Sequence, residues 1–171
     1  MDNQQVKTLY DIGWIVGFIE GEGCLTLIRT KGYKSNKISP YISITGTNAV
    51  SMQRAIDIAH ALDLPFYVRE SHYSSNNPKK AIRIIVEGLS RTSKWLDIIH
   101  EYMTGKRAQA DILRRYIDRR NKIIKLHPAN KPYTDEDIDD YHQIHDLNQG
   151  HNRPKVKTPE TTRRPWQQVK V

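Results

Sequence analysis

The stretch that decides the fold is Ile15-Val16-Gly17-Phe18-Ile19-Glu20-Gly21-Glu22-Gly23, the end of an apolar segment that begins near residue 8. Apolar residues recur at helical spacing over 8–20, which predicts a helix ended by the last two glycines. The helix therefore delivers two carboxylates, Glu20 and Glu22, at its C-terminal end.

Three glycines in this segment, Gly13, Gly17 and Gly21, are spaced four apart and share one helical stripe. A glycine inside a helix costs about 1 kcal/mol relative to alanine, so close approach of another backbone is expected to compensate. That neighbour is either a partner helix or the chain's own sheet, and the spacing leaves both open.

An acid pair at a helix C-terminus is unfavourable because the helix dipole is already negative there. The pair therefore suggests a bound cation, and carboxylates suit Mg²⁺ together with phosphate oxygens. The alternative is a solvated pair of glutamates in a loop. If two such helices pair, two metals between them could hold the attacking and leaving oxygens of a phosphodiester.

The rest of the chain predicts an α+β fold with the order αββαββα, followed by a last helix. Hairpins imply an antiparallel sheet with helices on one face. The predicted elements are strands 23–31 and 38–46, a helix capped by Thr47 or Asn48 through about Leu62 with Val50, Ala55, Ile58, Ala59 and Leu62 inward, strands 66–73 and 80–87, a helix capped by Ser90 through Met103, and a helix from Lys106 to about Lys122. Turns are expected at 32–36 and 74–78.

We expect residues 1–125 to form the core and residues 126–171 a C-terminal extension. In the extension, Thr134 followed by Asp137 resembles a capping box for a short helix at about 135–147. His142 and His145 on that helix are expected at the surface. The basic, proline-containing tail is expected to be extended and to add phosphate contacts. The alternative is a disordered end with no role.

Composition favours a polyanionic partner. The 171 residues carry a net charge of +8 with a pI of about 9.6, although a basic surface can also serve solubility alone. No apolar run approaches the roughly 18 residues of a membrane span. A single cysteine, Cys24, fits a reducing compartment, so we expect an intracellular protein of a prokaryote or an organelle, not a secreted one.

The acid-ended glycine helix, within the αββαββα order, resembles the LAGLIDADG motif of homing endonucleases and related maturases in a variant ending EGEG. The resemblance covers roughly residues 8–122. It implies a saddle-like antiparallel sheet, DNA cleavage across the minor groove and a divalent metal, Mg²⁺ or Mn²⁺. Because only one such motif is present, it also implies a homodimer in which Gly13, Trp14, Gly17 and Phe18 form the interface.

The resemblance also implies roles for individual residues. Glu22 matches the metal-binding acid, with the carbonyl of Gly21 as a second ligand, and Glu20 lies beside the site as a further catalytic candidate. Lys106, at the start of the last helix, matches a basic residue that activates water or stabilises the phosphate. A polar position usual at the end of the second strand falls on Gly46, where Thr45, Thr47 or Asn48 could substitute.

Strand alternation predicts which side chains face away from the helices. Leu25, Leu27, Ile42, Ile44, Val68, Ile82, Ile84 and Val86 are expected inward. The residues expected to contact DNA are Thr26, Ile28, Arg29, Ser39, Tyr41, Ser43, Thr45, Arg69, Ser71, Tyr73 and Arg83, with Lys31, Lys34, Lys37, Lys79, Lys80, Lys106 and Arg107 placed to touch phosphates. A merely solvated sheet face would give the same alternation. The basic run Arg114, Arg115, Arg119, Arg120 and Lys122 is either a solvated helix face or a backbone clamp.

The sequence therefore predicts a site-specific homing endonuclease that makes double-strand breaks in a long, roughly palindromic DNA target during intron homing. Two alternatives remain on the same fold: an RNA maturase that assists intron splicing, and a DNA-binding protein without catalysis.

Overall fold

The computed structural model describes residues 3–31, 36–74, 77–127 and 133–149, without the side chains of residues 3, 31, 36, 71–74 and 77–79. Residues 32–35 of the predicted turn, residues 75 and 76 of the predicted hairpin and the tail from residue 150 therefore lie outside the described residues. The side chains of Lys31, Lys34, Ser71, Tyr73 and Lys79 also lie outside them. No helix among the described residues is long and apolar enough to cross a membrane.

The element order confirms the predicted αββαββα pattern and its α+β class. The elements are α1 (Asn3–Glu22), β1 (Gly23–Lys31), β2 (Asn36–Gly46), α2 (Ala49–Ala61), β3 (Tyr67–Ser74), β4 (Asn77–Glu87), α3 (Leu89–Ile99), a 3₁₀ turn (His100–Tyr102), α4 (Arg107–Leu126) and α5 (Asp135–Gln149). All strand pairs are antiparallel and the order across the sheet is β1-β2-β4-β3.

The core lies between the helices and one face of the sheet. Alternate residues of the two central strands are buried there, including Ile42, Ile44, Ile84 and Val86. Helix α1 contributes Ile15, Val16 and Ile19 to the core, whereas the glycine stripe of the same helix is exposed. The largest fully buried side chains are Trp95 and Tyr116, and both satisfy their polar atoms: the indole donates to the Pro65 carbonyl at 2.9 Å and the phenol to the Ile38 carbonyl at 2.9 Å.

Four local predictions were wrong. Val50 is 81% exposed and Val68 is 43% exposed, because Val50 lies in the first turn of α2 and Val68 on the edge strand β3. The cap of α3 is Gly88 rather than Ser90, since the chain turns from strand to helix there at a φ of 96°, which favours glycine. Helix α3 ends at Ile99, and a 3₁₀ turn separates it from Met103.

Helix α5 is joined to α4 by ion pairs, in addition to the apolar contacts that Ile138, Tyr141 and Ile144 make with the core. The buried carboxylate of Asp137 accepts from Arg119 Nε at 2.9 Å and from an Arg120 terminal nitrogen at 3.1 Å. Asp140 accepts from Arg115 and Arg119. Both interpretations of the basic run were therefore wrong for Arg119 and Arg120, which bind acids of the same chain. Arg115 also pairs with Asp140 but remains exposed, as a solvated helix face predicts.

The start of α5 confirms the predicted capping box. Thr134 N donates to Asp137 Oδ2 at 3.1 Å, and Asp137 N donates to Thr134 Oγ1 at 3.3 Å. Asp137 thus serves both the cap and the arginine pairs, which places one side chain at the centre of the contact between the two helices.

The same helix covers the free edge of β1. His145 Nε2 lies 3.0 Å from the Leu27 carbonyl oxygen, and Asn148 Nδ2 donates to the Leu25 carbonyl at 2.9 Å. An uncovered edge strand would leave these carbonyls open to pairing with another chain. The expectation that His145 is a plain surface residue was wrong, since its ring is partly buried against the strand and 4.4 Å from the Tyr141 ring.

We expect Asp137→Ala to destabilise the protein by about 3–5 kcal/mol, because it removes the buried carboxylate that pairs with Arg119 and Arg120 and that caps α5. Urea unfolding at neutral pH measures the loss. Asp139→Ala, on the exposed face of the same helix, is the matched control and should stay within about 0.5 kcal/mol of the wild type. Equal losses in the two variants would contradict the role given to Asp137.

Candidate active site and nucleic-acid interface

The junction between α1 and β1 leaves no room for a side chain at Gly23. A Cβ built there would lie 2.5 Å from the Ile19 carbonyl oxygen and 2.9 Å from the Ile19 Cα. The helix can therefore pass directly into the strand only with glycine at this position. The close turn leaves Glu22 exposed at the very end of α1, and its carboxylate makes no hydrogen bond or ion pair with the described residues.

The neighbouring acid, Glu20, is fully engaged instead. Its Oε1 accepts from the backbone N–H groups of Thr104 at 2.6 Å, Gly105 at 2.7 Å and Lys106 at 3.3 Å, and its Oε2 accepts from Thr104 Oγ1 at 3.1 Å. Burial acts to raise the pKa of Glu20, but these hydrogen bonds together outweigh it and lower the pKa. Glu20 thus anchors the segment that leads into α4.

Lys106 makes the reverse connection. Its Nζ donates to the carbonyls of Ile19 at 2.9 Å, Glu20 at 2.7 Å and Gly23 at 2.7 Å. A cation at a helix C-terminus offsets the negative end of the dipole and satisfies carbonyls without helical partners. Burial lowers the pKa of Lys106, while negative charge on Glu20 and Glu22 acts in the opposite direction. The predicted acids and the predicted lysine are therefore brought together.

The donor set at this junction fits a divalent metal only in part. The described residues contain no cluster of three or more His, Cys, Asp or Glu side chains. Glu22 offers a hard carboxylate oxygen, and the Gly21 carbonyl is not among those that Lys106 binds. One carboxylate and one carbonyl match the way in which proteins hold Mg²⁺, with phosphate and water completing the shell.

The glycine stripe of α1 is open. A Cβ built on Gly13, Gly17 or Gly21 would meet nothing within 4 Å. The stripe is therefore not used to pack α1 on the chain's own sheet, which answers one of the two alternatives left by the sequence. Beside it, the Trp14 and Phe18 rings lie 4.9 Å apart, and the Arg54 guanidinium lies 5.0 Å from the Trp14 ring.

The sheet face opposite the helices carries most of the side chains expected to contact DNA. Arg83 lies directly opposite Arg69 across the β3–β4 pair, and its Nε donates to Thr45 Oγ1 at 3.0 Å. Two positively charged groups facing each other are unfavourable without an anion. Of the residues expected to contact DNA, those that lie on this open face with described side chains are Thr26, Ile28, Lys37, Ser39, Tyr41, Ser43, Thr45, Arg69 and Arg83.

Four of the strand residues expected to contact DNA have other surroundings. Thr26 and Ser39 are only 8% and 3% exposed, since each faces a larger side chain across the β1–β2 ladder, so neither is freely accessible as predicted. Arg29 and Lys80 have the strand parity of the helix side, and Lys80 Nζ lies 3.9 Å from Glu70.

Arg107, also expected to touch phosphates, is used within the chain. Its Nε lies 3.2 Å from Asp111 Oδ1, and one terminal nitrogen donates to the His100 carbonyl at 2.9 Å. It thereby ties the start of α4 to the 3₁₀ turn.

Gly46 stands where a polar residue was expected, and a Cβ there would meet the Met52 sulfur at 2.9 Å. Of the three possible substitutes, Asn48 caps α2, with Oδ1 accepting from Ser51 N at 3.0 Å. Thr45 points to the open face and pairs with Arg83.

Two residues of the open face were missed by the sequence reasoning. Tyr67 and Glu87 share the strand parity of Arg69 and Arg83, and the Tyr67 hydroxyl donates to Glu87 Oε2 at 3.1 Å. The alternation that identified the two arginines would have found both.

Solved structures with this fold are LAGLIDADG homing endonucleases. The homing endonuclease I-CvuI in complex with its target matches with a TM-score of 0.62 and 16% identity over 83% of this chain and 84% of that one. I-CvuI crystallised with an I-CreI target and magnesium matches with a TM-score of 0.54 and 15% identity. This match covers 81% of this chain and 97% of that one. The LAGLIDADG homing endonuclease I-GzeII in complex with its DNA target matches with a TM-score of 0.58 and 15% identity, over 78% of this chain but only 43% of that one.

These similarities establish the fold, as the motif predicted. No family model matches the sequence, and no curated protein matches it either. The chain spans most of the I-CvuI length and less than half of the I-GzeII length.

We expect Glu20→Gln to remove a pH-dependent part of the stability. A carboxyl whose pKa is lowered by folding stabilises the protein above its ordinary pKa of 4.5, and this contribution is lost as the pH falls through the folded value. Urea unfolding between neutral and acidic pH should therefore show that the free energy of unfolding falls less toward acidic pH in the variant than in the wild type. Glu70→Gln, an exposed carboxyl on β3, is the control, and identical acid profiles for wild type and Glu20→Gln would contradict the anchoring role.

Proposed function

We propose that this chain is a site-specific DNA endonuclease that cleaves both strands of a long, roughly palindromic target by metal-dependent phosphodiester hydrolysis, as a homodimer. The observation that carries the proposal is the exposed, unpartnered carboxylate of Glu22 at the end of an open glycine stripe, beside a half-buried lysine. The alternatives, an RNA maturase and a DNA-binding protein without catalysis, share the fold and differ in what this junction does.

Glu22 and the Gly21 carbonyl would hold Mg²⁺ or Mn²⁺, which supplies Lewis acidity to the phosphodiester when bound. Lys106 holds its ammonium group at the same junction, where it can stabilise the negative charge that develops on the phosphate during attack by water. Its three carbonyl partners fix the position of the charge before the substrate arrives. Glu20 is a positioning residue in this proposal, since it acts by holding the backbone on which Lys106 stands.

The open sheet face would lie on the DNA. Arg69 and Arg83 face each other on it, and a polyanion would relieve their repulsion. The net charge of +8 favours the same class of partner. The similar proteins I-CvuI and I-GzeII were crystallised with their DNA targets, which supports the proposal that the open sheet face binds DNA.

The homodimer follows from the number of sites. One chain offers one carboxylate of this kind in its described residues, whereas cutting two strands needs an acid at each scissile phosphate. Packing α1 against its twin along Gly13 and Gly17, with Trp14 and Phe18 beside them, would bring two Glu22 side chains to the same side of the assembly. A two-fold protein requires a roughly two-fold target.

We expect Glu22→Gln to abolish cleavage and leave DNA binding within a few-fold, because the amide keeps the shape but loses the charge that attracts the metal. The substrate is a DNA site enriched from a random double-stranded library by the wild-type protein, and nicking is measured with and without Mg²⁺. Glu70→Gln should cut like the wild type.

Full cutting by Glu22→Gln would overturn the assignment of Glu22. Binding without Mg²⁺-dependent nicking by the wild type would favour the non-catalytic alternative, and tighter binding of the encoding intron RNA than of DNA would favour the maturase.

We expect Gly17→Leu to prevent dimerisation without harming the monomer. A Cβ at this position would meet no described atom within 4 Å, and leucine is about 0.8 kcal/mol more favourable than glycine in a helix. Sedimentation velocity should show a monomer, thermal unfolding should show an intact fold, and cleavage of both strands should be lost. Ala108→Leu adds similar bulk to an exposed position of α4 and should remain dimeric. A Gly17→Leu protein that still forms dimers would contradict the proposed interface.

A further inference from the structure

One acidic side chain stands on the otherwise neutral and basic open face of the sheet. In β4 the residues Ile82, Ile84 and Val86 alternate toward the helices, which leaves Arg83 and Glu87 on the opposite face. Among the described side chains of that face, Glu87 is the only acid. It lies opposite Tyr41 of β2.

The carboxylate of Glu87 is held in place on one side and open on the other. The Tyr67 hydroxyl donates to Oε2 at 3.1 Å, and the described residues offer no hydrogen bond to Oε1. The Tyr67 ring is itself fixed by the Arg69 guanidinium, which lies 5.5 Å from the ring centroid. Burial and the neighbouring Glu87 raise the pKa of Tyr67, so the phenol stays protonated and remains a donor.

A carboxylate in this position is unfavourable if the face only touches phosphates. Like charges in close apposition repel, and a DNA-binding surface gains from removing them. The carboxylate becomes favourable where it meets a hydrogen-bond donor on a base edge. In the major groove, guanine offers only acceptors, thymine offers an acceptor and a methyl group, and adenine offers its amino group beside the N7 acceptor. Cytosine presents its N4 amino group as a donor, which is the pairing expected for glutamate.

We infer that Glu87 is a specificity-determining residue that accepts a hydrogen bond from the N4 amino group of one cytosine in each half-site, with Tyr67 as the residue that positions it. This rests on the proposed function, in which the open face binds DNA. Glu87 reads the base directly, whereas Tyr67 acts through Glu87 by occupying Oε2 and leaving Oε1 for the base.

The strand also sets the distance between this contact and its neighbour on the same face. Arg83 and Glu87 are four residues apart on β4, about 13 Å at the rise of an extended strand. Base pairs follow one another at about 3.4 Å. If β4 runs along the groove, the two side chains contact bases about four base pairs apart. Substitutions at Arg83 and Glu87 should therefore alter the base preference at different positions of the target.

The inference is tested by selecting targets from a palindromic double-stranded DNA library whose half-sites are randomised, with binding measured in EDTA so that no cutting occurs. The wild type should require cytosine at one position of each half-site. Glu87→Gln should reduce the preference for that cytosine by about tenfold or more and shift it toward adenine, which glutamine can bind through N6 and N7. Tyr67→Phe should weaken the same preference without changing the preferred base.

Two controls separate this inference from the proposal beneath it. Glu70→Gln, on the helix side of β3, should leave every position unchanged, and Arg83→Ala should alter a different position from Glu87→Gln. An unchanged target for Glu87→Gln, with the protein folded and still selective, would overturn the reading role while leaving DNA binding intact. A wild-type protein that enriches no DNA sequence at all would overturn both.

Discussion

The reciprocal exchange between the end of α1 and the start of α4 is the contact on which the candidate site depends. Glu20 holds the backbone of Thr104, Gly105 and Lys106, and Lys106 returns its ammonium group to the carbonyls of α1 and Gly23. These segments are more than eighty residues apart in the chain. Each satisfies the unpaired backbone groups of the other's helix end, so the acid and the base are fixed by the same hydrogen bonds that close the fold.

This exchange explains why two glutamates so close in sequence have different surroundings. The Glu20 carboxylate points to the start of α4 and accepts four hydrogen bonds there, whereas Glu22 is the last residue of α1 and is exposed. The close contact of Gly23 with Ile19 enforces the change of direction between them. One carboxylate therefore builds the site and the other is left available to a ligand.

Helix α5 adds a second set of long-range contacts to the same elements. Its acids bind the arginines of α4, and its His145 and Asn148 bind the carbonyls of β1. Helix α4 follows Lys106 and strand β1 follows Glu22, so α5 joins the two elements on which the candidate active-site residues stand. Helix α5 thereby occupies two carbonyls on the outer edge of β1.

The sequence by itself determined the order of elements, the two faces of the sheet and the acid-ended glycine helix. These are set by local periodicity and by glycine, which act over a few residues. It also found Lys106 through the motif's resemblance, and the capping box of Thr134 and Asp137 through a three-residue spacing. Only the tertiary structure decided that Glu20 is an anchor, that Arg119 and Arg120 bind acids of α5, and that Thr26 and Ser39 are covered. It also decided that the Glu87 carboxylate is held by the Tyr67 hydroxyl. The sequence does not show which group a charged residue contacts, because its partner depends on which distant segments the packed core brings within hydrogen-bonding distance.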